Sequence, residues 1–153
     1  MRAVKARHIR LWFALPALAV ALSGCAIFPP FVNLTPRECL VRVMYFESNR
    51  SSEEGMLAVA TVVMNRLEDR RYPRSICGVV GQKNQFASGV LYKPMKEKRP
   101  VALAGRVADA VLRGARHPGV RQAKFFHTAG LRFPYNNMHY VLEAGGNEFY
   151  EKR

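Results

Sequence analysis

One stretch of the sequence is apolar on every side of a helix, and it limits how the chain can fold. Residues 56–64 read Met-Leu-Ala-Val-Ala-Thr-Val-Val-Met, and Glu53 and Glu54 precede them, where a helix dipole favours negative charge. A surface helix keeps one polar face, whereas a helix without one is buried by its neighbours. The sequence therefore predicts a central helix, ending near Arg70, with the other elements packed around it.

Three further segments are typical of helices. Thr35-Pro36-Arg37-Glu38 is a capping box with proline at the first helical position, so a helix is predicted from there to about Ser48. Residues 75–80 favour a short helix, and residues 100–113 a third long one. The polar segment 81–99 between them, which contains glycine and few periodic apolar residues, is predicted to be a loop.

The C-terminal part of the chain has the character of β-structure. Residues 124–127 suit a strand, and residues 139–144 and 147–150 flank Gly145-Gly146, which is a hairpin signal. We therefore predict a mostly α (α+β) domain with a small C-terminal β-hairpin.

The first 25 residues have the pattern of an export signal. Four basic residues precede an uncharged run of 12 at residues 11–22, which is shorter than the roughly 20 residues of a transmembrane helix. Leu22-Ser23-Gly24-Cys25 follows and resembles a bacterial lipobox. The alternative is a short N-terminal anchor helix with a chance cysteine.

This pattern divides the chain into a signal peptide (1–24), a lipidated tether (25–34) and a folded domain (35–153). Cleavage before Cys25 and acylation of that residue would anchor the protein to a membrane. Because Ala26 rather than aspartate follows Cys25, the sorting rule of Gram-negative lipoproteins favours the outer membrane, with the domain facing the periplasm.

Lipidation of Cys25 leaves two cysteines, Cys39 and Cys77. An oxidising compartment favours a disulfide between them, which would close a loop of 38 positions and stabilise the fold by about 4 kcal/mol. Two buried free thiols are the alternative.

The charge of the chain points to an anionic partner. Its net charge is +13, and removal of the first 24 residues leaves 20 bases and 11 acids, a net of +9. A recognised nucleic-acid-binding motif is missing from the sequence, and an exported protein rarely meets nucleic acid. We expect a monomer held near an acidic polymer, without nucleic acid as a partner.

Glu47 occupies an unusual place on the first helix. Leu40, Val43 and Met44 form an apolar stripe, and Glu47 continues it one turn later. Burial would raise the pKa of this carboxyl and suit it to donate a proton as a general acid. Alternatively, the helix frays at this point and Glu47 faces solvent.

The sequence around Glu47 resembles the SleB/CwlJ-like cell wall hydrolases. The resemblance rests on residues 38–50, on Gly55 to Ala60, on Val62-Val63-Met64-Asn65-Arg66, and on later matches that include Gln85-Phe86 and the closing Gly-Gly-Asn-Glu-Phe-Tyr. It covers about residues 38–151. Asn147 stands where the family usually has a histidine, and Ala-Ser-Gly follows Gln85-Phe86 where many relatives carry a serine.

The resemblance implies a lysozyme-like domain, an enzyme that cuts peptidoglycan between N-acetylmuramic acid and N-acetylglucosamine. It places the catalytic glutamate at Glu47, and Glu47-Ser48 is similar to the Glu-Ser signature of lytic transglycosylases. The match places Gln85 and Phe86 beside the family's substrate cleft, and Tyr45 and Ser48, close to Glu47, are further candidate contacts. The alternative for Phe86 and Tyr45 is packing in the core. A muramidase that uses water with the same glutamate, or a peptidoglycan-binding lipoprotein without activity, are the alternatives.

This chemistry calls for no cofactor and no metal. Ordinary glycosidases use two carboxylates, and the sequence offers no obvious partner for Glu47. His127 and His139 raise a zinc alternative, but they are 12 residues apart and lack a His-Glu-x-x-His motif. We therefore expect packed histidines and a single-glutamate mechanism.

Overall fold

The computed structural model describes residues 33–153, which form four helices and a three-stranded antiparallel sheet. The predictions for the signal peptide, for Cys25 and for most of the tether lie outside these residues. The elements are, in order, α1 (Pro36–Glu47), α2 (Glu53–Glu68), α3 (Ile76–Val80), α4 (Lys98–Leu112), a 3₁₀ turn (Pro118–Val120), β1 (Phe125–Thr128), β2 (Met138–Ala144) and β3 (Asn147–Lys152). The predicted mostly helical domain with C-terminal strands is confirmed.

Helix α2 lies at the centre of the described residues, as its all-apolar sequence predicts. Met56, Val59, Val62 and Val63 are fully buried, and α2 contacts α1, α3, α4, the 3₁₀ turn and β2. Its N-cap is Ser52, whose hydroxyl accepts a hydrogen bond from the backbone N–H of Gly55. It ends at Glu68, slightly before the predicted position near Arg70.

Helix α1 begins where the sequence predicts. The Thr35 hydroxyl accepts a bond from the Glu38 N–H, and the Glu38 carboxylate accepts one from the Thr35 N–H, which completes the capping box. A disulfide joins Cys39 to Cys77 and ties α1 to α3. Within residues 33–153, no helix is long and apolar enough to cross a membrane.

The strands pair in the order β1-β3-β2, so the predicted hairpin gains β1 as a third strand. Phe126 pairs with Phe149 across β1 and β3, and side chains alternate along both strands. One face of the sheet therefore carries Phe126, Phe149 and Asn147, all of which contact the helical part or bond to it. The other face carries Phe125, His127 and Tyr150.

Candidate active site

Glu47 is the last residue of α1, and its side chain turns toward the protein. Leu40, Val43 and Met44 on the same stripe are fully buried, while Glu47 is half-buried. Its Oε1 accepts a hydrogen bond of 2.5 Å from the backbone N–H of Ala87, in the loop that follows α3. The helix thus continues to Glu47, and the carboxyl is held by a distant loop instead of facing solvent.

Burial raises the pKa of the Glu47 carboxyl, because the charged form loses solvation. Three weaker influences act in the opposite direction, namely the Ala87 N–H and the positive charges of Arg66 and Lys93. The net direction is upward, which favours the protonated acid at a higher pH than an exposed glutamate would allow.

The carboxyl lies in an open cavity of about 440 Å³ between the loop after α3 and the sheet. The cavity is lined by Phe46, Glu47, Asn84, Gln85, Phe86, Phe126, His127, Thr128, Leu131 and Asn147. Glu47 is the one carboxylate in this lining, so the structure places no second acid in the cavity beside it. The mixture of amides, a hydroxyl and flat rings suits a polar ligand with extended faces.

The hairpin turn fixes the end of α1. The Asn147 side-chain amide donates a 2.6 Å hydrogen bond to the backbone carbonyl of Glu47, and the Asn49 N–H donates to the Gly145 carbonyl at 2.8 Å. Asn147 is only 6% exposed. Asn147 thus supplies an N–H donor to the backbone of Glu47.

Two glycines make this contact possible. A Cβ on Gly145, whose φ is +57°, would lie 2.5 Å from the Cα of Gly55, and a Cβ on Gly55 would lie 2.4 Å from the Cα of Gly145. Only a backbone without side chains can approach so closely. The start of α2 and the hairpin turn therefore touch directly, next to the helix end that carries Glu47.

The four implied substrate contacts separate into two pairs. Gln85 and Phe86 line the cavity with Glu47. Ser48 is buried, and its backbone N–H donates to the Met44 carbonyl, so it closes the helix end. Its hydroxyl donates to the carbonyl of Asn49, and it is not among the residues that line the cavity.

Tyr45 lies outside the cavity as well. Its ring is 3% exposed, and its hydroxyl is within hydrogen-bond distance of the Glu97 carboxylate and of the Lys96 and Glu97 N–H groups. The guanidinium of Arg50 stacks on the ring at 4.5 Å. Tyr45 thus ties α1 to the start of α4, because its side chain leaves the helix in another direction from that of Glu47.

Arg66 is a component of the site that was not predicted from the sequence. It is 3% exposed, its Nε donates to the Lys124 carbonyl at 2.8 Å, and its guanidinium lies 4.9 Å from the ring centroid of Phe86. One of its terminal nitrogens, Nη1, has no hydrogen-bond partner among the described residues. The Asn65-Arg66 pair is part of the family resemblance, which was the available signal. Residues at a helix end more often close the helix than touch a ligand, so Arg66 was not predicted to belong to the site.

The two histidines considered as zinc ligands lie in different surroundings. His127 Nε2 is 2.9 Å from the Tyr140 hydroxyl and lines the cavity, whereas His139 is exposed on β2. Within residues 33–153, no group of three or more His, Cys, Asp or Glu side chains is placed to hold a metal ion.

A family model and two solved structures are similar to this chain. The model of the family described as Cell Wall Hydrolase matches residues 50–150, more than half of the chain, beginning just after Glu47. No curated protein sequence matches the chain.

Two solved structures resemble this fold, each with 20% identity and a TM-score of 0.61. The crystal structure of the catalytic domain of the Bacillus cereus SleB protein aligns over 76% of this chain and 89% of its own. The catalytic domain of the germination-specific lytic transglycosylase SleB from Bacillus anthracis aligns over 81% of this chain and 100% of its own. At this identity the likeness establishes the fold alone.

Proposed function

This chain belongs to the cell wall hydrolase family, and on that premise we propose that it is a lytic transglycosylase with Glu47 as its single catalytic residue. The substrate is the glycan strand of peptidoglycan, cut between N-acetylmuramic acid and N-acetylglucosamine. The observation that carries the proposal is the half-buried Glu47 carboxyl, with a raised pKa, as the one acid in the lining of a cavity open to solvent.

In the first half of the reaction Glu47 acts as the acid. Its proton passes to the glycosidic oxygen while the bond from the muramic acid C1 to that oxygen breaks, and the bonding electrons leave with the oxygen. The sugar that remains passes through an oxocarbenium-like state, which its own N-acetyl group can stabilise.

In the second half Glu47 acts as the base. The carboxylate accepts the proton of the sugar's 6-hydroxyl as that oxygen attacks C1, and a 1,6-anhydromuramic end is formed. Glu47 recovers its proton, so the atoms balance without a water molecule.

The surroundings of Glu47 support both protonation states. Burial favours the acid before cleavage, while the Ala87 N–H and the positive charge of Arg66 favour the carboxylate after it. A residue that first donates and then accepts a proton needs both stabilised forms. If the carboxylate were too unfavourable, Glu47 could not give its proton to the glycosidic oxygen. Gln85 and Phe86 are the proposed substrate contacts.

Replacement of Glu47 by glutamine tests the proposal. We expect Glu47→Gln to reduce the release of soluble muropeptides from purified sacculi at least about a hundredfold, because the amide cannot donate the proton. Glu143→Gln, which removes an exposed carboxylate on β2, is the matched control and should retain full activity.

Mass spectrometry of the products separates the alternatives. Anhydro ends support the transglycosylase, whereas ends that have gained a water would show a muramidase with the same glutamate. Unchanged cleavage by Glu47→Gln would contradict the catalytic assignment. A native chain that binds sacculi without releasing products would be a wall-binding protein.

We also propose that the enzyme is an outer-membrane lipoprotein anchored through Cys25. The support is the order of basic residues, apolar run and lipobox-like Leu22-Ser23-Gly24-Cys25, together with the Cys39–Cys77 disulfide, which is typical of oxidising compartments. Cys25→Ala should abolish the incorporation of labelled palmitate into the protein. Equal labelling of the Cys25→Ala and native proteins would contradict the lipid anchor.

A further inference from the structure

Arg66, on the last turn of α2, is a buried positive charge without a negative partner. It is 3% exposed, and the ion pairs among residues 33–153 do not include it. Its Nε donates a 2.8 Å hydrogen bond to the Lys124 carbonyl, while Nη1 has no hydrogen-bond partner among the described residues. Because a buried charge without a counter-ion lowers the stability of a fold, an arginine at this position points to a role beyond packing.

Aromatic rings take the place of a counter-ion around the guanidinium. Its central carbon lies 4.9 Å from the ring centroid of Phe86, 5.4 Å from that of Tyr72 and 6.0 Å from that of Phe125. Attraction between the cation and the faces of these rings offsets part of the cost of burial, but it does not neutralise the charge. Arg66 therefore keeps a positive electrostatic potential in a region where water screens it little.

The last turn of α2 also fixes the segment that leads into β1. The Asn65 side-chain amide donates to two backbone carbonyls within residues 121–123, each at 2.9 Å. Arg66 donates to the carbonyl that follows, that of Lys124. Because β1 begins one residue later, these bonds set the position at which β1 enters the lining of the Glu47 cavity. One neutral and one charged side chain thus share the same structural task.

Arg66 also contacts the loop that holds Glu47. The Phe86 ring, which is the nearest ring to the guanidinium, lines the Glu47 cavity and packs against Phe126 with centroids 6.2 Å apart. The next residue, Ala87, donates its N–H to the Glu47 carboxylate. A shift of Phe86 would therefore move both a wall of the cavity and the hydrogen-bond donor of the catalytic group.

The charge of Arg66 acts on the Glu47 carboxyl as well. Burial raises the pKa of Glu47, and the positive charge of Arg66 opposes this rise. Lys93 acts in the same direction as Arg66 but is exposed, so water and salt screen its charge more strongly. His127 on β1 is the other titratable side chain in the cavity lining. Of these groups, Arg66 is the permanent charge that is both fixed in place and shielded from water.

We propose that Arg66 is a positioning residue of the proposed reaction. Its contacts hold Phe86 and the start of β1 at the cavity, and its charge stabilises the carboxylate that Glu47 becomes when it has given up its proton. This role rests on the proposed function, because it concerns the same proton transfer. Arg66 is too deeply buried to touch the glycan, so its effect reaches the glycan through Glu47 and Phe86.

Neutral variants separate the charge of Arg66 from its packing. Arg66→Gln keeps an amide donor for the Lys124 carbonyl, and Arg66→Met keeps apolar packing against Phe86. Without the positive charge the pKa of Glu47 rises further, so the alkaline limit of muropeptide release from sacculi should move to higher pH in both variants. At acidic pH the release rate should fall about tenfold, because a weaker acid gives up its proton less readily.

Arg66→Lys and Asn65→Ala are the matched controls, and all four variants keep Lys93 and His127. Arg66→Lys retains the positive charge and should keep the native alkaline limit. Asn65→Ala removes the hydrogen bonds to residues 121–123 without removing a charge, so it should lower stability without moving the limit. A ¹³C titration of the Glu47 carboxyl in the same variants measures the shift independently of cleavage.

The outcomes separate this proposal from the proposed function. An alkaline limit that stays in place in both neutral variants would overturn the role of Arg66, and so would an equal shift in Asn65→Ala or Arg66→Lys. Failure of both neutral variants to fold would assign Arg66 to the fold alone and overturn it too. The proposed function fails if native protein leaves sacculi uncut, and the titration would then still show whether Arg66 acts on Glu47.

Discussion

The two ends of helix α1 are held in different ways. At its start, Thr35 and Glu38 bond to each other three residues apart, and Arg37 pairs with Asp109 on α4. At its end, Glu47 is held by residues that are 40 and 100 positions away, Ala87 and Asn147. The start thus has a cap made by neighbours in sequence in addition to its long-range contacts, whereas the contacts that hold Glu47 form only when the whole domain folds.

The two ends of α1 therefore contribute differently to the stability of the fold and to the cleavage reaction. A helix start with a local cap forms whenever the helix forms, and its contacts lie away from the Glu47 cavity. The helix end places the carboxyl of Glu47, its solvation and its hydrogen-bond partners. Substitutions at the start should therefore alter stability with little effect on cleavage, while substitutions at the end should alter cleavage as well.

Removal of the Cys39–Cys77 disulfide should have the largest effect on stability at the α1 start. Replacing both cysteines by alanine should lower the free energy of unfolding by about 4 kcal/mol, because the unfolded chain gains freedom over a loop of 38 positions. Urea denaturation measures this change. Cleavage of sacculi by the folded fraction at low temperature should be unchanged, and a folded but inactive variant would show that the two ends are coupled.

Asn147→Ala and Thr35→Ala form a matched pair with smaller effects. Asn147→Ala leaves the Glu47 carbonyl without its donor and should cost about 1–3 kcal/mol, while Thr35→Ala removes a cap worth about 1 kcal/mol. Cleavage should fall roughly tenfold or more in Asn147→Ala, because small displacements of a catalytic group are costly. It should stay near normal in Thr35→Ala, and equal loss in both variants would contradict the comparison.

The same distinction explains how much the sequence could predict. The Thr35 capping box, the all-apolar α2 and the hairpin at Gly145-Gly146 are short patterns with local physical causes, and the structure has each of them. Glu47 was found because it continues an apolar stripe of its own helix. The family resemblance added Gln85 and Phe86, which a loop without periodicity could not have indicated.

The remaining parts of the site depend on tertiary contacts. The Asn147 bond to Glu47, the contact of the buried Arg66 with Phe86 and the place of His127 in the cavity lining bring together segments that are far apart in sequence. Tyr45 lies two residues before Glu47 in sequence, yet its side chain leaves α1 toward α4, since residues one or two positions apart on a helix do not share a face. Sequence adjacency was a poor guide there.

A pH effect on stability is the smallest change that we expect. Because burial raises the pKa of Glu47 in the folded state above its value in the unfolded chain, the folded state holds this proton more tightly. Its contribution to the free energy of unfolding is present in acid and is lost as pH rises through the folded pKa. Glu47→Gln lacks this contribution, so its stability relative to the native protein should increase from acid to neutral pH in paired thermal denaturation curves.

The most direct test of the central claim is a titration of the Glu47 carboxyl carbon by ¹³C NMR in the uninhibited native protein, with Glu47→Gln to assign the resonance. We expect a pKa above the usual glutamate value of about 4.3, because the carboxyl is half-buried at the cavity. A pKa at or below that value would show a solvated carboxylate, and would contradict Glu47 as the acid that starts the cleavage.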